Sequence, residues 1–226
     1  MMRSLLAGAG LLALSTVLAS AADMRRPAPY AAPYQAPYAP YFSWTGFYLG
    51  ANGGYGWGDS RWNFPGGSTG DFDVAGAIFG VTAGYNFQMG AVVIGAEADV
   101  NWTNIHGNTT NNCAPGCFTN NTWLTTVRGR VGYAVDRLLP YLTGGAAIGN
   151  IKAHLGGLPE QTDERLGWTI GAGAEFAFFG NWSAKVEYLY VNLDSFSCGA
   201  AACGAPGPAE VKFDAGVLRA GVNYRF

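Results

Sequence analysis

The sequence predicts an all-β fold, an eight-stranded antiparallel up-and-down transmembrane β-barrel with short periplasmic turns and long extracellular loops. Three observations predict it. Apolar side chains recur at every second position in one stretch after another, the period of a strand with one apolar and one polar face. Charged residues make up only 12% of the 226, about half the ~25% usual in soluble proteins, while aromatics reach 14%. Past the N-terminal segment, no apolar run approaches the roughly 20 residues of a spanning helix. The nearest, "LLPYLTGGAAIGNI", is broken by Pro140, Thr143 and its glycines. A charge-poor chain without such a helix can satisfy its backbone in lipid by closing into a barrel. The net charge of −2 gives no footing for nucleic-acid binding.

The chain opens "MMRSLLAGAGLLALSTVLASAADM", with one arginine, an apolar run from Leu5 to about Ala19, and small residues at Ala19, Ser20 and Ala21. Residues 1–21 therefore read as a secretory signal peptide, cut after Ala21 or Ala22. An uncleaved anchor helix is the alternative, and the run is short for it. Residues 22–43 include "MRRPAPYAAPYQAPYAPYFS", which repeats a Pro-Tyr step. Proline at this density removes ladder donors and favours an extended, polyproline-like chain. The expectation is a periplasmic leader, acting as a spacer or as a peptide-recognition segment. Residues 44–226 form the barrel.

Alternation begins in "GFYLGANGGYGW", which sets Phe47, Leu49, Ala51, Tyr55 and Trp57 against Tyr48, Gly50, Asn52 and Gly54. The second strand sets Phe79, Val81, Ala83, Tyr85 and Phe87 against Gly80, Thr82, Gly84 and Asn86. The third sets Ile94, Ala96, Ala98, Val100 and Trp102 against Gly95, Glu97, Asp99 and Asn101. The fourth sets Trp123, Val127, Val131, Tyr133 and Val135 against Thr126, Arg128, Arg130 and Gly132. The fifth, "YLTGGAAIGNI", is weakly patterned and its parity stays open. The sixth sets Trp168, Ile170, Ala172, Ala174, Phe176 and Phe178 against Thr169, Gly171, Gly173 and Glu175. The seventh sets Trp182, Ala184, Val186, Tyr188 and Tyr190 against Ser183, Lys185 and Glu187. The eighth is the tail "AGVLRAGVNYRF", with Leu218, Ala220, Val222, Tyr224 and Phe226 on the apolar face. An even strand number suits a closed single-chain bacterial barrel.

The joins alternate in length. "QMGA", "DRLLP" and "FGN" are short, whereas about 58–71, 103–121, 153–164 and 192–210 are long. Short turns facing the periplasm and long loops facing outward are the arrangement of outer-membrane barrels. Aromatic residues then band at both ends. Phe47, Tyr85, Phe87, Tyr133, Phe176, Phe178, Trp182, Tyr224 and Phe226 fall at the turn end; Trp57, Trp102, Trp123, Trp168 and Tyr190 fall at the loop end. Amphipathic rings favour the two membrane–water boundaries.

The polar faces gather four acids, Glu97, Asp99, Glu175 and Glu187, and four bases, Arg128, Arg130, Lys185 and Arg219. Unpaired charges inside a narrow barrel cost several kcal/mol each, so these are expected to pair. An eight-stranded barrel is just wide enough inside for side chains to fill it. The expectation is a lumen plugged by a salt-bridge network that fixes the barrel's shape. A narrow channel for small solutes, lined by the same charges, is the alternative.

Four cysteines suit an oxidising compartment. Cys113 and Cys117 in "NCAPGC", and Cys198 and Cys203 in "SCGAAAC", lie outside the alternating stretches and read as loop disulfides. Three connectivities exist, of which the two local pairs are preferred. Metal ligation would want tighter spacing and supporting histidines. His106, His154, Asp163, Glu164 and Ser197 fall in the long joins, but none lies in a nucleophile motif. No catalytic residue, metal site or cofactor is expected. Haem ligation by the two histidines and host-surface binding remain alternatives for the loops.

The segments "WTGFYLGANGGYGWG", "RGRVGYA", "AKVEYLYVNL" and "RAGVNYRF" resemble the small, porin-like outer-membrane β-barrels of Gram-negative bacteria, alphaproteobacteria in particular. This superfamily includes the opacity proteins and the OmpA transmembrane domain. The resemblance spans about Trp44 to Phe226. It implies an outer-membrane location among lipid and lipopolysaccharide. Some members are linked to haem binding, envelope integrity or host contact, roles that live in loops, and no motif here carries them over; the leading expectation is a barrel that serves envelope structure and surface exposure. It also implies insertion by the barrel-assembly machinery, with Phe226 part of the assembly signal. The oligomeric state stays open.

Overall fold

The computed structural model describes residues 42–204 and 209–226. The expected signal peptide, and the leader as far as residue 41, lie outside the described residues. The described chain is built from β1 (Gly46–Phe64), β2 (Gly67–Met89), β3 (Val92–Thr109), β4 (Cys117–Tyr133), β5 (Leu138–Leu155), β6 (Gln161–Phe179), β7 (Trp182–Cys198) and β8 (Ala209–Arg225). A four-residue helix, α1 (Ala200–Cys203), follows β7. Each strand pairs antiparallel with its neighbour in sequence, and β8 returns to β1, so the sheet is a closed barrel. The closing seam places Ala51 opposite Val222 and Tyr55 opposite Leu218. At one end the connections are tight. β2 ends at Met89 and β3 starts at Val92, and β6 ends at Phe179 and β7 starts at Trp182, with Gly90 and Gly180 both at positive φ.

Strand parity decides what faces the bilayer. Val131, Val186 and Val222 are 50%, 54% and 43% exposed on the outer surface, while Glu97 and Arg130 are 3% and 5% exposed inside. The apolar edge of the lower barrel therefore faces lipid and its polar edge faces the lumen. Aromatic pairs cluster at the ends of this apolar band. Phe47 packs on Tyr85 and Trp182 on Tyr224 at the turn end; Phe79 stacks on Trp102 and Trp168 packs on Tyr190 toward the other.

The four long joins are mostly strand. β1 and β2 continue as a ladder to Phe64 opposite Gly67, and His106, His154, Asp163, Glu164 and Ser197 all lie within strands. The reason is a reversal of the apolar phase. In β2 the outward positions carry apolar residues from Phe87 up to Phe79; above that, the inward positions take over, with Ile78, Val74 and Phe72, and Asp73 and Asp71 point out. In β8 the switch falls between Leu218, outward, and Val217, Ala215, Phe213 and Val211, inward. Where lipid gives way to water, a strand must bury its apolar side chains inside. The upper barrel thus encloses a core that includes Trp62, Phe72, Ile78, Ile105, Leu124, Ile151, Leu193, Phe196 and Phe213.

The open parity of β5 is resolved here. Leu139, Tyr141, Thr143, Ala147 and Ile151 point inward, and Pro140, Leu142, Ala146 and Ile148 outward. Its pattern is weak because both of its faces are apolar and Gly144, Gly145 and Gly149 dilute them.

Candidate functional site: the charged layer inside the barrel

The register brings opposite charges side by side. Glu97 lies across from Arg128 on β3 and β4, Glu175 from Lys185 on β6 and β7, and Glu187 from Arg219 on β7 and β8. Because inward positions recur every second residue, Glu97 with Asp99 and Arg128 with Arg130 stack as consecutive lumen residues. All eight charged residues are at most 5% exposed.

The contacts also reach across the lumen. Arg128 donates from Nη1 to Glu187 Oε2 at 2.9 Å and from Nη2 to Asp99 Oδ2 at 2.7 Å and to Glu97 Oε1. Arg219 donates from Nε to Glu187 Oε1 at 2.9 Å and from Nη2 to Asp99 Oδ2 at 2.8 Å. Lys185 Nζ sits 3.0 Å from both oxygens of Glu97 and 3.2 Å from Glu187 Oε1. Arg130 donates to Glu175 Oε2 at 2.8 Å and to Glu97 Oε2 at 3.4 Å. Four carboxylates thus meet four cations, and the layer is neutral.

Neutral side chains complete it. Glu97 accepts from the Tyr48 hydroxyl at 2.8 Å, and Asp99 from Thr126 at 2.8 Å and from Asn101 Nδ2. Glu175 accepts from Ser183 at 2.5 Å and Asn223 at 2.9 Å. The Arg130 guanidinium also lies 4.4 Å from the Tyr141 ring centroid and 5.5 Å from that of Tyr48, a cation–π arrangement inside the barrel. Two glycines make room for these tyrosines. A Cβ on Gly84 would collide with the Tyr48 ring, and one on Gly173 would come within 2.7 Å of the Tyr141 hydroxyl.

Below this layer, at the turn end, Trp44 is 1% exposed and packs with Val93, Leu139 and Ala177. Its indole Nε1 donates to the Asp136 carbonyl at 3.2 Å, and its backbone N–H donates to Gln88 Oε1 at 2.7 Å. Arg225 lies over Phe42 at 4.2 Å, tying the last strand to the residues before the first. The alternation of the strands does not reveal Trp44, because it precedes β1. Its position just before the first alternating stretch is the one available signal.

Comparisons with known proteins fit this geometry. Residues 9–226 match the family model described as the outer membrane protein β-barrel domain. The chain belongs to that family. It is an integral protein of the bacterial outer membrane. The 31 kDa outer-membrane immunogenic protein of Brucella melitensis is 36% identical over 215 residues, covering 82% of this chain and 85% of the relative. The 22 kDa outer membrane protein of Rhizobium leguminosarum is 35% identical over 157 residues, covering 69% and 67%. The crystal structure of OprG from Pseudomonas aeruginosa superposes with a TM-score of 0.50 at 12% identity, over 80% of this chain and 96% of that one, which shows the shared fold alone.

In this outer-membrane barrel the remaining sequence candidates lie away from the lumen charges. Cys113 bonds Cys117 and Cys198 bonds Cys203, and all four join the upper apolar core. His106 is exposed on β3, 3.0 Å from the Asn104 carbonyl, and His154 stacks on Phe118 at 4.9 Å. Phe226 is 70% exposed, and its backbone N–H donates to the Phe47 carbonyl at 2.9 Å.

Proposed function

We propose that this chain is a non-conducting barrel that serves the structure of the outer membrane and presents its upper hairpins at the cell surface, without a catalytic role. The observation that carries the reading is the neutral, buried charge layer. Its side chains reach across the lumen and bond one another instead of lining an open path. Two further layers support it, Trp44 toward the periplasm and the apolar core above. An ion would have to pass all three. Filling of this kind agrees with the narrow interior of an eight-stranded barrel.

The placement of His106 and His154 on separate strands, one bonded to a carbonyl and one stacked on a ring, supports a non-catalytic role. The name of the Brucella relative, an immunogenic outer-membrane protein, supports surface exposure. Its partners in this reading are membrane lipid, lipopolysaccharide and, during insertion, the assembly machinery.

Planar-bilayer recording of the refolded protein tests the reading. The expected trace shows no steady conductance, and a stable open level would overturn it in favour of a narrow solute channel.

A further inference from the structure

The strand pairing around the barrel is interrupted in its upper part. Pairing between β6 and β7 stops at Gly167 opposite Leu193, yet both strands run on. Above that point β6 stays paired with β5 up to Gln161, and β7 with β8 up to Cys198. A bulge in β7 lies at the point of separation. From Leu193 to Phe196 is three steps along β7, but the partners Phe213 to Val211 are two steps along β8. An extra residue bends its strand, and the bulge coincides with the end of the β6–β7 ladder. Among the described residues, two strand edges, 162–166 and 194–196, are left without ladder partners across this seam at alternate positions.

The β2–β3 ladder also ends early, at Ala75 opposite His106, but that seam is filled. Asn111 and Asn112 donate to the Thr69 and Ser68 carbonyls at 2.8 and 3.0 Å, and Gly107 lets the two backbones touch. Across the β6–β7 seam the bridging is sparse. Gln161 accepts from the Gly199 N–H at 2.8 Å and donates to the Ser197 carbonyl at 3.5 Å. Arg165, bonded to Asp163 at 2.6 Å, lies 5.4 Å from the Phe196 ring. An inward-pointing charge at an edge keeps unselected strands from pairing there.

We propose that this seam is a docking site for an extended peptide segment of another protein outside the cell, held by strand addition and carrying basic side chains on its outward face. Strand addition to an exposed sheet edge is a recurrent mode of peptide recognition, in which main-chain hydrogen bonds supply affinity and alternate side chains supply specificity. Around the seam Glu160, Asp163, Glu164, Asp194 and Glu210 outnumber Lys152, Arg165 and Lys212, which sets the charge of the partner. On its inward face the partner displaces Arg165 from Phe196, so an apolar or small residue fits there.

The full chain, folded in detergent, is titrated with three ten-residue peptides. One alternates Thr and Lys, one alternates Thr and Glu, and the third is the Thr–Lys peptide N-methylated at every second residue. The Thr–Lys peptide is expected to bind at least tenfold more tightly than the Thr–Glu peptide, and the N-methylated one to lose binding. Deuterium uptake at the alternate amides of 162–166 that do not bond β5 is expected to be fast and to slow when the Thr–Lys peptide is present. Deleting Ser195, which removes the bulge and lets β7 pair with β6, should weaken binding tenfold or more. Equal binding of the N-methylated peptide, or protection without peptide of the amides in 162–166 that do not bond β5, would overturn the proposal. So would seam-to-seam cross-linking of two barrels, which would make a second copy the occupant.

Discussion

Arg128 shows what a single residue contributes to this fold. Its guanidinium bonds Glu97, Asp99 and Glu187 on two other strands, all without solvent. Truncating one member of a buried ion pair costs about 3–5 kcal/mol, because the partner charges stay buried and unpaired. Arg128→Ala should lower stability by that order in urea unfolding of detergent-folded protein, followed by the gel-mobility difference between folded and boiled forms. The exposed pair Arg61–Asp71 on the upper outer surface is the contrast. The hydrogen bond from Arg61 holds the Asp71 carboxyl below its ordinary range. Any stability from this shift is present above the ordinary carboxylate range and is lost as pH falls through the lowered value. Solvent screens the pair, so Asp71→Asn should leave the urea midpoint unchanged in the same assay.

At the scale of the strand, alternation carried most of the information. The outward and inward sets of β1–β4 and β6–β8 in the lower barrel could be read directly, because lipid on one side and a polar lumen on the other impose opposite demands on neighbouring residues. So could the eight lumen charges, which fall on the polar parity. The upper strands were harder. Val74 and Ile78 sit on the same parity as Thr82 and Asn86, so a reader who follows one apolar face past Phe79 loses the pattern and sees a loop. The reversal itself is the missed signal, and it marks where the strand leaves the bilayer. The seam between β6 and β7 was out of reach for a different reason, since a bulge is a property of pairing rather than of one strand. The reversal also places Val127 within the lipid band, paired with Ala98 and Ala146. A charge near the bilayer midplane costs about 2–4 kcal/mol and much less near the interface. Val127→Arg should therefore destabilise the barrel by that amount in the urea assay, and Tyr133→Arg, at the girdle, by about 0–1 kcal/mol.

Over the described residues the barrel is a cylinder in two storeys, apolar outside and charged inside below, polar outside and apolar inside above. Trp44 lies under the charged storey, and the two disulfides sit in the apolar one. The closure of this interior is tested most directly by a pair of single cysteines on β7, Ser183→Cys facing in and Val186→Cys facing out. With the native cysteines held as disulfides, the folded protein in lipid vesicles is exposed to a water-soluble and then a lipid-soluble maleimide. The account predicts that Val186→Cys reacts with the lipid-soluble reagent alone, and that Ser183→Cys reacts with neither until the barrel is unfolded by boiling. Rapid reaction of Ser183→Cys with the water-soluble reagent in the folded barrel would contradict it.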